Sequence, residues 1–297
     1  MKAKNLLLVF LAISLLLSSN GCKKQSVTSV TSADGVKIVF NQKGNGKPAI
    51  IFVHGWSNNK SIWDAQVAHF SEKYKAIAVD LVGFGDSGNN RLNWSISAFG
   101  DDVAAIIKNL KLKQVVLVGF SMGAPVVIEA AVKVPENITG VILVDDLQNI
   151  ETKYSPETVN LFDSILMDLI TYPTLEKAVN LGFLKKNPEL NFPKIVDMVN
   201  KYPSRIGYQE SLSSYFEWIN QDCTEKLKLV KAPVTAINSD SEPTNVEAFR
   251  KYIPSFQAKI IPGIGHAVFW DAPDEFTLLL EESIQEFISF SSVGKCQ

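Results

Sequence analysis

The chain has 297 residues, 46% of them hydrophobic, a length and composition that suit one large α/β domain with an insertion or two small domains. A formal net charge of −2, with no basic stripe interleaved with aromatics, gives no reason to expect a nucleic-acid partner. Three cysteines do not make a disulfide framework, and without C-x-x-C or His-x-x-x-His pairs the sequence argues against a metal site.

The first residues have the layout of a secretory signal peptide. Lys2 and Lys4 precede an apolar run from Leu6 to Leu17, and small and polar residues then lead to Cys22. The apolar run is too short to span a bilayer comfortably. We therefore predict a signal peptide over residues 1–21.

The sequence Ser18-Ser19-Asn20-Gly21-Cys22 resembles a bacterial lipobox, with Ser19 where leucine is usual. The resemblance implies that Cys22 becomes lipidated and anchors the protein to a membrane of the bacterial envelope. Simple cleavage, which would leave a secreted or periplasmic protein, is the alternative. Residues 22–32 are predicted to form a polar tether. In an oxidising envelope, Cys223 and Cys296 could pair or stay as isolated thiols.

Short apolar runs then predict the first strands of a sheet. Val36 to Phe40 indicates an edge strand, and Ala49 to Val53 and Ala76 to Val79 are typical of strands buried on both faces. A glycine-rich loop follows at residues 80–88. It lacks the Gly-Lys-Ser/Thr ending of a phosphate-binding loop, so we interpret Asp80 and Ser87 as residues that hold the loop.

A glycine-framed serine follows the next apolar run, which begins at Val115. Gly119 and Gly123 flank Ser121 in the spacing of a nucleophile elbow, in which a tight turn between strand and helix presents the serine hydroxyl above the sheet. The main-chain N–H of Met122 would then lie beside the reacting atom and could donate to an oxyanion.

The remaining pattern alternates strands with helices except in one long segment. Strands are predicted at Gly140 to Val144, Pro233 to Ile237 and Lys259 to Ile261, with a closing helix from Pro273 to Phe290. Residues 147–231 show helix-like spacing instead. The alternation with short loops predicts a mostly parallel, doubly wound sheet.

Three of these motifs resemble the α/β-hydrolase family: His54-Gly55-Trp56 after a buried strand, the Ser121 elbow, and Gly-x-Gly-His ending at His266. The resemblance implies an α/β-hydrolase core over residues 33–146 and 232–297. It also implies that residues 147–231 form a helical cap, inserted after the sixth core strand. In this family the residue after His-Gly supplies a second oxyanion N–H, and Trp56 occupies that position.

A serine nucleophile needs a base and an acid that orients the base. The family order of Ser, Asp or Glu, then His identifies His266 as the base and makes His54 a structural loop residue. For the acid, Asp240 after the strand ending at Ile237 is our first choice. Glu242 and Asp145 are the alternatives.

These roles predict a serine hydrolase that cleaves an ester or related acyl bond of a small or acyl-chain substrate through an acyl-enzyme. No metal or organic cofactor is required for that chemistry. Other chemistry of the same fold (an aminopeptidase, a carbon-carbon bond hydrolase or a perhydrolase) and a non-catalytic ligand-binding protein remain as alternatives. The sequence leaves the substrate and the oligomeric state open.

Overall fold

The structure is a computed structural model and describes residues 27–202 and 204–293. Within these residues, eight strands form one sheet in the order β1-β2-β4-β3-β5-β6-β7-β8. The strands are β1 (Val27–Thr31), β2 (Lys37–Lys43), β3 (Ala49–Val53), β4 (Lys75–Val79), β5 (Val115–Phe120), β6 (Ile138–Val144), β7 (Val234–Ser239) and β8 (Gln257–Ile261). β2 pairs antiparallel with both of its neighbours, β1 and β4. The remaining neighbours in the sheet, β4-β3-β5-β6-β7-β8, all pair parallel.

Helices cover both faces of the sheet and fill the long segment between β6 and β7. In chain order they are α1 (Asp64–Phe70), α2 (Ile96–Asn109), α3 (Gly123–Lys133), α4 (Pro156–Thr171), α5 (Leu175–Asn180), α6 (Pro188–Lys201), α7 (Tyr208–Gln221), α8 (Cys223–Leu227), α9 (Val246–Arg250), α10 (Val268–Asp271) and α11 (Pro273–Val293). None of the helices in the described ranges is long and apolar enough to cross a membrane.

The central strands are buried because helices pack on both faces. Every residue of β3 and β5 is buried, which explains why each reads as a continuous apolar run. On one face, Trp63, Phe70 and Phe276 belong to one apolar cluster. On the other, Phe99 and Val127 belong to a second cluster that extends into the segment between β6 and β7. The sheet therefore separates two cores.

The predicted fold class is confirmed: a mostly parallel, doubly wound sheet with a helical cap after the sixth strand. The five helices α4 to α8 lie between β6 and β7, yet those two strands pair directly, from Val141 with Val234 to Val144 with Ile237. The chain therefore leaves and re-enters the sheet at neighbouring strands. The cap begins after the carboxyl end of β6 and returns to the amino end of β7.

The tether prediction is wrong for its second half. Val27–Thr31 forms the edge strand β1, with Val27 opposite Asn41 and Thr31 opposite Lys37, and Val30 is buried. A strand forms because β2 offers a free edge for pairing. The sheet thus begins before residue 33.

The predicted signal peptide over residues 1–21, the lipobox cysteine Cys22 and the terminal Cys296 lie outside the described residues. Cys223, at the start of α8, is a buried thiol without a disulfide partner in the described ranges. Burial raises its pKa to about 12, so it stays protonated at neutral pH.

Candidate active site

Ser121 lies in a sharp turn between β5 and α3. Its backbone is left-handed, with φ of 50°, which is a strained conformation for a residue with a side chain. Its main-chain N–H donates to Val144 O at 3.0 Å and its carbonyl accepts from Ala124 N at 2.7 Å. The turn is therefore fixed to the end of the neighbouring strand β6.

Both flanking glycines are required by close packing. A Cβ at Gly119 would lie 2.2 Å from the carbonyl oxygen of Gly123, and a Cβ at Gly123 would lie 2.7 Å from the carbonyl oxygen of Val53. Real Cβ atoms do not approach backbone oxygens so closely, so only glycine fits at either position. The strand, turn and helix that the spacing around Ser121 predicts are all present.

The imidazole of His266 is hydrogen-bonded to a carboxylate from β6. His266 Nδ1 lies 2.7 Å from Asp145 Oδ2, and the other oxygen, Asp145 Oδ1, accepts from Ser239 N at 2.6 Å. Asp145 is only 3% exposed and has a left-handed φ of 46°. Both carboxylate oxygens are therefore held, and one of them fixes the orientation and tautomer of the histidine ring.

The structure does not bring Asp240, the first choice of acid, into contact with His266; the alternative, Asp145, makes that contact. β7 runs on to Ser239, so Asp240 lies beyond the sheet edge, where it is exposed. Its Oδ1 accepts from Gly263 N at 3.0 Å and holds the turn before the histidine. Glu242 is also exposed, and it reaches His266 only through its charge.

Aromatic rings enclose His266 on two sides. The Phe120 ring lies 4.7 Å and the Phe183 ring 5.4 Å from the imidazole, centroid to centroid, and 27% of the histidine side chain remains exposed. Burial lowers the pKa of His266, but the hydrogen bond to Asp145 and the charges of Asp145, Asp146 and Glu242 outweigh it and raise the pKa overall. The site therefore favours the charged imidazolium.

A second buried carboxyl stands next to Asp145. Asp146 Oδ1 accepts from Tyr215 Oη at 2.8 Å and from Leu147 N at 2.6 Å, whereas its Oδ2 has no hydrogen-bond partner within the described residues. Burial raises the pKa of Asp146 to about 6, against these two hydrogen bonds and the charge of His266. Sequence reasoning gave this residue no role, and its only signal was the pair of aspartates after a buried strand.

The two candidate oxyanion donors flank the nucleophile. A Cβ at Gly55 would lie 3.0 Å from Ser121 Cβ, so the loop that carries Trp56 passes directly beside the serine. Trp56 and Met122 are both buried, and neither main-chain N–H has a hydrogen-bond partner in the described part of the chain. Buried, unpaired N–H groups are rare and are what an oxyanion would satisfy.

The other two histidines have structural surroundings. His54 is fully buried, its Nε2 accepts from Leu81 N at 3.1 Å, and burial lowers its pKa to about 4. His54 is therefore neutral at pH 7, and its ring is hydrogen-bonded to the loop that follows β4. The His69 side chain is 48% exposed and lies 3.7 Å from Glu281.

Asp80 and Ser87 hold the glycine-rich loop at residues 80–88 through hydrogen bonds. Asp80 accepts from the main-chain N–H groups of Lys60 at 2.7 Å and Asp86 at 2.9 Å, and Ser87 Oγ donates to Asp80 O at 2.7 Å. The Lys60 ammonium lies between Asp80 and Asp86. Among the described residues, no group of three or more histidine, cysteine or acidic side chains is placed to hold a metal ion.

Known proteins share this sequence pattern and fold. A pimeloyl-[acyl-carrier protein] methyl ester esterase from Wigglesworthia glossinidia brevipalpis is 28% identical over 259 residues, covering 82% of this chain and 96% of its own. A non-heme haloperoxidase from Rhodococcus erythropolis is 25% identical over 262 residues, covering 80% and 92%. Among solved structures, an esterase from Exiguobacterium antarcticum superposes with a TM-score of 0.74 at 21% identity, covering 88% of this chain and all of the esterase chain.

The likeness to the solved esterase shows that the fold is shared. The profile described as Alpha/beta hydrolase family matches residues 50–277. That match covers well over half of the chain and includes Ser121, Asp145 and His266. The chain therefore belongs to the alpha/beta hydrolase family.

Proposed function

We propose that this protein is a serine hydrolase that cleaves ester bonds through an acyl-enzyme, with Ser121, His266 and Asp145 as its triad. The observation that carries the proposal is the 2.7 Å hydrogen bond from His266 Nδ1 to the buried Asp145, at the same edge of the sheet as the strained Ser121. An acid, a base and a nucleophile in that relation are what activation of a serine hydroxyl requires.

The first half of the reaction forms the acyl-enzyme. Ser121 Oγ attacks the ester carbonyl while His266 Nε2 takes the hydroxyl proton, and the charge that forms on the imidazole is stabilised by Asp145. The N–H groups of Trp56 and Met122 donate to the oxyanion of the tetrahedral intermediate. His266 then gives its proton to the leaving alcohol as the carbon–oxygen bond breaks.

The second half releases the acid. A water molecule loses a proton to His266 and attacks the acyl carbonyl, and the same N–H pair stabilises the second tetrahedral intermediate. The bond to Ser121 Oγ breaks as His266 returns the proton to that oxygen. One ester and one water become one carboxylic acid and one alcohol, and the enzyme is regenerated.

Two similarities support an ester as the substrate class. The Wigglesworthia relative is named as a methyl ester esterase, and the Exiguobacterium neighbour is an esterase. The residues around His266 also fit a neutral substrate, because Phe120 and Phe183 present apolar rings to it. The structural likeness alone supports only the fold, so the substrate proposal depends on the triad chemistry.

The test is hydrolysis of p-nitrophenyl esters of increasing acyl length by the full chain in detergent. We expect turnover that Ser121→Ala lowers by about 10⁶-fold, because the nucleophile is lost. Ser255→Ala is the matched control, since Ser255 is exposed in the turn before β8, at the strand end opposite to the histidine loop. Preference among the acyl lengths would define the substrate further.

A fluorophosphonate probe separates the outcomes. Labelling of the wild type but not of Ser121→Ala would support the nucleophile even if the simple esters are poor substrates. An unlabelled wild type without turnover would contradict the proposal and leave a non-catalytic ligand-binding role. Halide-dependent peroxide chemistry without ester turnover would instead favour the chemistry named for the Rhodococcus relative.

We also propose that Cys22 carries a lipid that anchors the protein to a membrane of the bacterial envelope. The support is the lipobox-like sequence that ends at Cys22, after the charged and apolar residues of the leader. Metabolic labelling with an alkyne fatty acid should mark the wild type and Cys296→Ser but not Cys22→Ser. An unlabelled wild type that is released from the cells would point to simple cleavage.

A further inference from the structure

The loop that carries His266 is bonded to the cap. His266 N donates to Gly182 O at 2.8 Å, and Ala267 N donates to Phe183 O at 3.0 Å. Gly182 and Phe183 lie in the connection between α5 and α6, far from the sheet in sequence. The main chain of the candidate base therefore depends on a cap segment for its hydrogen bonds.

Asp271 joins the same two segments through its side chain. It lies at the end of α10, one turn after His266, and is 2% exposed. Its Oδ2 accepts from Gly265 N at 2.9 Å, from Lys185 N at 2.8 Å and from Lys186 N at 3.1 Å. One carboxylate oxygen thus holds the residue before the histidine and two residues of the cap.

The second oxygen of Asp271 is also engaged. Asp271 Oδ1 accepts from Asn191 Nδ2 at 3.2 Å, and Asn191 Oδ1 in turn accepts from Lys194 Nζ at 2.8 Å. Asn191 is 1% exposed. Because several N–H donors converge on a buried carboxylate, removal of that carboxylate would leave buried donors unpaired.

The two segments are also packed too closely to slide. A Cβ at Gly265 would lie 2.7 Å from the carbonyl oxygens of both Gly182 and Phe183. The Phe183 ring stands edge-on to the His266 imidazole at 5.4 Å. A change in the position of the cap segment would therefore move the imidazole, since no gap separates them.

We propose that Asp271 is a positioning residue: its carboxylate locks cap residues 182–186 to the histidine loop and so aims His266 at Ser121. Asp271 acts through Gly265 and the cap and touches no reacting atom. The cap is then part of the catalytic geometry as well as a cover over the site. This proposal rests on the serine hydrolase function proposed above.

The test compares Asp271→Ala and Asp271→Asn with Asp274→Asn in the full chain, using the preferred p-nitrophenyl ester. A misaimed base lowers kcat, and a displacement of about 1 Å can cost about 10²-fold, so we expect Asp271→Ala to lose about 10²-fold in kcat with KM changed by less than about threefold. Asp271→Asn keeps one oxygen that can accept from the three main-chain N–H groups, so its kcat should fall by less than that of Asp271→Ala. Asp274, exposed three residues later, should leave kcat unchanged.

The pH dependence of kcat distinguishes a positioning role of Asp271 from a role in stability alone, because loss of stability alone would leave the pKa of His266 unchanged. The groups facing His266 are Asp145, Asp146 and Glu242, and all three raise its pKa. A displaced imidazole loses part of the hydrogen bond to Asp145, so the acid limb of kcat should move to lower pH in Asp271→Ala. The imidazole C–H resonances in proton NMR, assigned with His266→Gln, report the same pKa without any substrate.

The outcomes distinguish the two proposals. A lower melting temperature of Asp271→Ala with unchanged kcat and unchanged His266 titration would overturn the positioning role while leaving the hydrolase intact. If Asp271→Ala does not fold, Asp271→Asn decides by the same criteria. If the wild type itself is inert, the hydrolase proposal fails, and the NMR titration still tests whether Asp271 holds His266: an unchanged titration in both variants would overturn that role as well.

Discussion

The ends of β6 and β7 are neighbours in the sheet, and each is followed by an aspartate with a different fate. Asp145 follows β6 directly, is buried, and holds His266. Asp240 follows β7 directly, is exposed, and holds only the turn at Gly263. Both aspartates lie at the same edge of the sheet, so burial and orientation decide which of the two carboxylates contacts the imidazole of His266.

The register explains the difference. Val144 pairs with Ile237, so β7 continues for two residues past the last pair with β6. Asp145 leaves the sheet early and turns with a left-handed backbone, whereas Asp240 starts beyond Ser239. The N–H of Ser239 then donates to the Asp145 carboxylate, so β7 supports the carboxylate at the end of β6.

The largest effect is expected from loss of the hydrogen bond between Asp145 and His266. Asp145→Asn should lower kcat for an ester by about 10⁴-fold, because an amide cannot stabilise the imidazolium and favours the wrong tautomer. Asp240→Asn, the matched change on the neighbouring strand, should stay within about threefold of the wild type. Steady-state kinetics of the two variants checks this. The reverse ranking would restore Asp240 as the acid and contradict the assignment made from the hydrogen bond.

The pH dependence of activity should also depend on Asp145. His266 must be neutral to act as a base, and its pKa is raised, so wild-type kcat/KM should fall with decreasing pH through a value above the ordinary histidine pKa. In Asp145→Asn the burial effect remains and the raising partner is lost, so the acid limb of the residual activity should move to lower pH. Glu242→Gln should move it in the same direction by less, because only a charge is lost. An unmoved limb in Asp145→Asn would mean that another group titrates.

The smallest effect concerns the second aspartate after β6. The pKa of Asp146 is raised to about 6, so its contribution to stability is present at low pH and is lost as pH rises through about 6. The free energy of unfolding of the wild type, relative to Asp146→Asn, should therefore fall by about 1–3 kcal/mol between pH 4 and pH 7.5. Urea unfolding at the two pH values measures this difference, and a pH-independent difference would show that Asp146 titrates normally.

Local sequence patterns were enough to predict much of the fold and part of the candidate site. Gly119 and Gly123 around Ser121 predict a strand, a turn and a helix because sterics allow little else there. His266 follows from chain order and from having few histidines to choose from. The acid could not be read the same way, since Asp145, Asp240 and Glu242 all follow strands, and only the register of β7 on β6 separates them.

Two other features depended on contacts that no local pattern contains. Residues 27–31 look polar and short, and they form β1 only because the edge of β2 accepts them. Asp271 resembles any acidic residue near a helix end, and its partners at Lys185 and Lys186 are distant in sequence. Such long-range pairings arise from tertiary structure, which overrides the local signal.

The entry and exit of the cap at two directly paired strands have a consequence for how this protein could diversify. Because β6 and β7 pair directly with each other, their pairing sets no limit on the length of the segment at residues 147–231. Two parts are not free in this sense. Residues 182–186 must preserve a backbone shape that fits the histidine loop, and α7 and α8 bond to Asp146 and Glu129 of the core. Grafted or evolving caps should therefore tolerate the widest change in α4, and fail when residues 182–186 or the core-facing side chains of α7 and α8 are altered.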